Sequence, residues 1–223
     1  MEFEKIVEIV ESRRDVLKGS ERSIEVVDFG AGSPRDKRTK EQMEKGVLCA
    51  IALCDLAKIG VKREKAQEIF KIFKALNPKV ILELGTCCGF SSSYMSYFAS
   101  DSRIYSIEGS ENVANIAREN HQIFGFKNIE VLVGRFNLVL PSLLERIAPL
   151  DFAFIDGHHD RFATLEYFHT IRPFMDKGGV MLFDDIAWSG GMQEAWEEIL
   201  ESKIYKEAYV VGENTWKMGA VWL

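Results

Sequence analysis

From Val80 onward, short apolar runs alternate with amphipathic stretches, and this alternation constrains the fold of the chain more than any other feature. The predicted strands are Val80–Leu84, Ile104–Glu108, Ile129–Val133, Asp151–Asp156 and Val180–Asp184. Apolar residues three and four apart predict helices between and after them, at Ser91–Phe98, Glu111–Phe124, Leu138–Ile147, Thr164–Met175 and Met192–Glu201. Strands apolar on both faces, separated by crossover helices, are how a parallel sheet covered by helices reads.

The tail departs from that pattern. Ile204–Val211 and Thr215–Leu223 read as strands joined by the short Gly212-Glu-Asn connection, which leaves no room for a crossover helix and forces an antiparallel hairpin. The expected fold class is α/β: a Rossmann-like seven-stranded sheet, five parallel strands then an antiparallel hairpin, flanked by helices. Residues 1–78 read as mostly helical, with helices at Glu41–Ile59 and Arg63–Leu76. No linker rich in Pro, Gly or Ser follows them, so they form a helical cap within the same domain as residues 79–223.

Composition excludes several classes. At 47% hydrophobic and 28% charged, 223 residues suffice for one large soluble domain. A net charge of −6 argues against nucleic acid as a partner. No apolar run approaches a membrane span, and the charged Met1–Arg14 stretch is no signal peptide, so the expected location is the cytoplasm with no membrane association. Cys49, Cys54, Cys87 and Cys88 form neither a secreted disulfide framework nor a zinc motif. Dimerisation through the helical cap is a further expectation.

The first strand runs into Glu83-Leu-Gly-Thr-Cys-Cys-Gly89, and a helix follows. Glycines after a buried strand let a ligand lie against bare backbone at a helix start. The middle glycine of the dinucleotide fingerprint, which brings backbone against a pyrophosphate, is missing. The loop therefore points to a cofactor without phosphates, and S-adenosylmethionine (SAM) is the candidate. Glu108 ends the second strand 23 positions after Gly85, the spacing of an acid that binds ribose hydroxyls. Glu83 is a carboxylate inside an apolar run and requires partners, here expected to be N–H donors near the methionine end of the cofactor. After the third strand, Gly134, Arg135 and Phe136 stand where adenine would lie, with Phe136 as an apolar face and Arg135 as a lid. Asp28-Phe-Gly-Ala-Gly-Ser33 is a second glycine-rich stretch, but Pro34-Arg-Asp-Lys-Arg follows where a helix should start. It reads as a surface turn or as a segment folding over substrate.

The densest chemistry lies in Asp156-Gly-His-His-Asp160 and Asp184-Asp185, at neighbouring strand ends. Three carboxylates together repel unless a cation or protons neutralise them; oxygen ligands favour Mg²⁺, Ca²⁺ or Mn²⁺ over zinc, while His158 and His159 would admit Mn²⁺, Fe²⁺ or Zn²⁺. Helix capping by Asp156 and Asp184 is the plainer alternative. His159, or His158 beside it, has the chemistry of a general base.

These residues resemble the class I SAM-dependent O-methyltransferases, in particular the cation-dependent catechol and caffeoyl-CoA type, over roughly Lys79 to Ser189. Ile81-Leu-Glu-Leu-Gly-Thr-Cys-Cys-Gly-Phe-Ser91 is similar to the first motif of that family, Ser106-Ile-Glu108 to its ribose-binding strand end, and Leu182-Phe-Asp-Asp185 to the end of its fifth strand. The resemblance implies that Glu83, Gly85, Gly89, Glu108 and Phe136 hold SAM, with Thr86, Gly134, Arg135 and Asp156 beside them. It implies a cation on Asp156, Asp184 and Asp185. Two positions depart: an Asn of the family is Asp185 here, and its lysine base is His159. The expected activity is methyl transfer from SAM to an oxygen of a small molecule, with His159 and Asp156 catalytic and Trp188 walling the acceptor pocket together with the Asp28–Ser33 segment. The alternatives are nitrogen or sulfur acceptors, SAM binding without catalysis, and a metal-dependent hydrolase built on Asp156, His158, His159, Asp184 and Asp185.

Overall fold

The computed structural model describes residues 1–32, 38–213 and 216–223. Ser33, Pro34, the Arg35–Lys37 part of the basic stretch, Asn214 and Thr215 lie outside the described residues. In chain order, α1 (Phe3–Lys18) leads to β1 (Ser23–Asp28), α2 (Lys40–Lys45), β2 (Val47–Ala52), α3 (Leu53–Leu56) and α4 (Arg63–Leu76). The alternating part follows as β3 (Val80–Leu84), α5 (Phe90–Phe98), β4 (Arg103–Glu108), α6 (Glu111–Phe124), β5 (Ile129–Val133), α7 (Phe136–Ile147), β6 (Leu150–Ile155) and α8 (Arg161–Ile171). It closes with β7 (Met175–Phe183), α9 (Gly190–Ser202), β8 (Glu207–Val211) and β9 (Met218–Trp222).

Seven strands form one sheet in the order β5-β4-β3-β6-β7-β9-β8. β3 pairs in parallel with β4 and with β6, and β9 pairs antiparallel with β7 and β8, as the tail predicts. The central strands bury both faces, which explains their unbroken apolar runs. Ile81, Phe152, Phe154, Val180 and Leu182 face α1, α4, α5 and α6. Leu82, Leu84, Ala153, Ile155, Met181 and Phe183 face α7, α8 and α9.

The N-terminal region corrects one expectation. Glu41–Ile59 is not one helix: it divides into α2, β2 and α3, and β2 pairs antiparallel with β1 in a separate two-stranded sheet. Val47-Leu-Cys-Ala-Ile-Ala52 is apolar throughout, so its pattern suits a buried helix as well as a strand. Its partner, Ser23–Asp28, lies too far upstream for local periodicity to register. Helix α4, in contrast, runs over the predicted Arg63–Leu76.

Arg14 fastens this N-terminal layer to the rest. It is fully buried, donates to the carbonyls of Ala57, Ile59 and Val61, pairs with Glu11, and lies 3.9 Å over the Phe90 ring of α5. The segment it holds leads directly into α4, whose Phe73 stacks edge-on against Phe152 of β6, 4.9 Å between centroids.

Glu83 is the buried acid of β3. Ser106 Oγ donates to its Oε2, and Oε1 has no partner among the described residues. The expected N–H donors are replaced by hydroxyls. Burial pushes its pKa from 4.5 to about 7, against the hydroxyls of Ser106, Ser91 and Ser92.

Two outcomes follow from these buried charges. Arg14→Met leaves buried carbonyls without donors and should lower stability by roughly 3–5 kcal/mol, read from the urea midpoint. Glu83 binds its proton more tightly folded than unfolded, so its contribution is present at low pH and is lost as pH rises from 4.5 to about 7. Glu83→Gln should remove on the order of 2–3 kcal/mol of pH-dependent loss across that window. Parallel stability curves for wild type and variant would reject this account.

Candidate active site

The site is built where β3 parts its two neighbours, the position at which open α/β sheets take ligands. Gly85, at φ 96°, leaves β3 so close to the end of β6 that a Cβ there would fall 2.0 Å from the Asp156 carbonyl oxygen. The Gly85 N–H donates to the Ile107 carbonyl at 3.0 Å. The half-buried Glu108 carboxylate accepts the Cys87 N–H at 2.9 Å and the Ser110 N–H at 3.0 Å, holding the loop to the end of β4. Burial raises its pKa, while those N–H groups oppose the rise.

Gly89, at φ 75°, begins α5, and a Cβ there would lie 2.5 Å from His121 Nε2. His121 is buried behind the loop, 3.0 Å from Ser92 Oγ and 3.2 Å from the Gly89 carbonyl, and burial holds its pKa down to about 4. It backs the loop as a neutral ring. Glu83, Thr86 and Gly89 thus support the loop from beneath; the open wall belongs to other residues.

That wall encloses a cavity of ≈ 250 Å³. Gly85, Glu108, Gly134, Arg135, Phe136 and Asp156 line it from the sheet side, six of the residues expected from the sequence. Its opposite side comes from the N-terminal region: Val26–Gly30 at the end of β1, with Ile51, Leu56 and Ile59. The Phe29 ring lies over Gly109, where a Cβ would approach it to 2.6 Å. The Ala31 N–H donates to the His158 carbonyl at 2.9 Å, and Arg38 pairs with Asp28 at 2.7 Å. Asp28, Phe29 and Gly30 are therefore a wall of this cavity and not a plain surface turn.

The loop after β6 carries backbone strain. His158 and His159 both adopt left-handed conformations, φ 62° and 50°, and Asp185 after β7 does likewise at 52°. Such conformations are costly for non-glycine residues and cluster where side chains must be aimed. The two histidines are aimed differently. His158 Nδ1 lies 2.6 Å from the Tyr167 hydroxyl, its ring sits edge-on to Phe136, and burial lowers its pKa. His159 Nε2 lies 3.6 Å from Asp156 Oδ1, and its ring is 6.3 Å from that of Trp188. His159 lines the first cavity and also a second of ≈ 690 Å³, which Met43, Phe162, Trp188 and Arg38 help enclose. Helix capping falls to Asp160 and Ser189, not to Asp156 or Asp184.

Asp156, Asp184 and Asp185 do converge, but on a lysine. Lys65, in the first turn of α4, places Nζ 2.7 Å from Asp184 and 2.8 Å from Asp185. Burial pushes Asp156 and Asp184 up to about 7, with Lys65 pulling both back down. Burial lowers the pKa of Lys65, but Asp184, Asp185 and Asp156 outweigh it and raise the net value, so Lys65 is an ammonium. Among the described residues no three His, Cys, Asp or Glu side chains are placed to share a metal ion. A divalent ion about 4 Å from that ammonium would meet a repulsion on the order of 8 kcal/mol at an effective dielectric of about 20. This arrangement does not fit the cation expected from the sequence.

Lys65, His121 and Tyr167 are absent from the sequence expectations. A lysine in the first turn of an amphipathic helix reads as solvated, and nothing local marks these residues as meeting the strand ends.

Comparisons with known proteins agree with this geometry. A family described as a methyltransferase domain matches residues 82–186. A catechol O-methyltransferase of Mycobacterium tuberculosis is 28% identical over 147 residues, covering 65% of each chain. That of Sus scrofa is 29% identical over 134 residues, 58% of this chain and 72% of the relative. The match thus spans about two thirds of the length of these relatives. An O-methyltransferase from Bacillus cereus, solved with S-adenosylhomocysteine, shares the fold at a TM-score of 0.66 and 22% identity, over 77% of this chain and 86% of that one. Over residues 82–186 the chain thus matches a methyltransferase domain, it is similar in sequence to catechol O-methyltransferases, and its fold is that of solved O-methyltransferases.

Proposed function

We propose that the protein transfers the methyl group of SAM to a hydroxyl oxygen of a small, partly aromatic acceptor, with His159 as the base. The observation that carries this reading is that His159 stands in the wall common to two cavities, one at the glycine loop and one lined by exposed aromatic side chains. The glycine-loop cavity suits SAM. Glu108 offers a carboxylate to ribose hydroxyls, and Phe136 and Arg135 offer an apolar face and a lid to adenine. Gly85 and the loop held by Glu83, Thr86 and Gly89 give the close backbone approach.

When bound, SAM supplies an electrophilic methyl group on a sulfonium; the acceptor oxygen forms the new C–O bond as the S–C bond breaks. The task of the protein is then alignment and deprotonation. The second cavity, with Trp188, Phe162 and Met43, takes the apolar body of the acceptor and aims its hydroxyl at His159. His159 accepts the hydroxyl proton, and Asp156 beside it orients the ring and balances the charge it gains. His158 is unsuited to that role because Tyr167 already engages its Nδ1. A hydrolytic metal centre is disfavoured on the same ground, and because Lys65 engages Asp184 and Asp185. The O-methyltransferase relatives favour oxygen over nitrogen or sulfur acceptors.

Calorimetric titration of the purified protein with SAM or S-adenosylhomocysteine tests the cofactor assignment. Glu108→Ala should weaken binding roughly 10–100-fold, the loss of charge-assisted hydrogen bonds to the ribose. Absence of binding at millimolar ligand, or an unchanged affinity in the variant, overturns the reading. In a homocysteine-coupled screen of phenols and catechols, His159→Ala should lower kcat roughly 10²–10⁴-fold with SAM affinity retained.

A further inference from the structure

We propose that the Lys65 ammonium takes the place of a divalent cation at the acceptor end of this site, so that methyl transfer by this chain needs no bound metal. The inference rests on the methyltransferase reading and assigns a role to a residue outside it.

Three observations carry it. The first is position: Lys65 sits within hydrogen-bond distance of two carboxylates at the end of β7, and Asp156, the third, adjoins His159. The second is anchorage. Ala66, Ile69, Ile72 and Phe73 of α4 are buried, and Arg14 fixes the segment entering that helix, so the backbone that delivers Lys65 belongs to the core. The third is charge. Asp184 is only 2% exposed and Lys65 only 15%, so the pair is shielded from solvent. A carboxylate that deeply placed requires a permanent partner, and the ammonium is that partner.

An ammonium offers three N–H donors. Two carboxylates engage it, which leaves a donor for the acceptor oxygen. That oxygen gives its proton to His159 and receives the methyl group, while Lys65 keeps all its protons and holds the developing negative charge in place. A cation fixed in the chain thus performs the orienting that a metal ion would otherwise perform.

The test is Mn²⁺ binding, followed by electron paramagnetic resonance, on the full-length wild type and on Lys65→Ala, with SAM binding measured in parallel by calorimetry. The wild type should leave Mn²⁺ free up to about 1 mM, because the ammonium holds the site. Lys65→Ala frees the Asp184 and Asp185 carboxylates and should bind Mn²⁺ roughly 10–100-fold more tightly than the wild type. Lys65→Arg keeps the charge and should bind no better than the wild type. Micromolar Mn²⁺ binding by the wild type overturns the proposal, as does a folded Lys65→Ala variant with no gain. The wild-type measurement decides even if the alanine variant does not fold. Loss of SAM binding in the wild type would instead reject the methyltransferase reading, so the two failures are distinguishable. With any acceptor turned over in the phenol and catechol screen, EDTA should leave wild-type turnover unchanged; its abolition would also overturn the proposal.

Discussion

The structure depends on the contact between the backbones of Gly85 and Asp156. β3 is hydrogen-bonded to β4 on one side and β6 on the other, so the loop leaving it must pass directly over the end of a neighbour. A Cβ at Gly85 would overlap the Asp156 carbonyl, and only glycine allows that passage. Because the passage exists, the glycine loop, Glu108 and the loop after β6 surround one cavity. The fixed right-handed crossovers of a parallel sheet then bring Asp184 and Asp185 alongside from β7.

Around that contact, buried polar groups give the site its rigidity. His121 is neutral and wedged behind Gly89; Glu83 is enclosed by hydroxyls beneath the loop. Both are placed so that burial shifts their titration away from ordinary values, His121 downward and Glu83 upward. Arg14 works on a larger scale. By satisfying three carbonyls between α3 and α4 it fixes the segment that completes the cavity with Leu56 and Ile59, and it leads the chain into the helix that carries Lys65.

Electrostatics at the ends of β6 and β7 are correspondingly specific. Asp185 adds a negative charge at a strand end already crowded with carboxylates. The counter-charge arrives from α4, more than a hundred residues earlier in the chain. Asp156 contacts His159 on one side and feels the charge of Lys65 on the other, so the histidine and the ammonium are linked through one carboxylate.

Local pattern alone specifies the sheet, its closing hairpin, the glycine loop and Glu108, through apolar runs, glycines at strand ends, and a spacing set by one βαβ unit. It also brought Asp156, His158, His159, Asp184 and Asp185 together, since neighbouring parallel strands end on the same edge. Tertiary packing singled out His159 as the histidine that lines both cavities, because Tyr167 reaches His158 from a helix that local pattern cannot orient. Tertiary pairing likewise made β2 a strand and Asp28–Gly30 a cavity wall, since pairing with a distant segment overrides an apolar run of ambiguous period. Lys65 is the clearest case. Its partners lie more than a hundred residues away, and nothing in the amphipathic pattern of its helix distinguishes an ammonium meeting carboxylates from one meeting water.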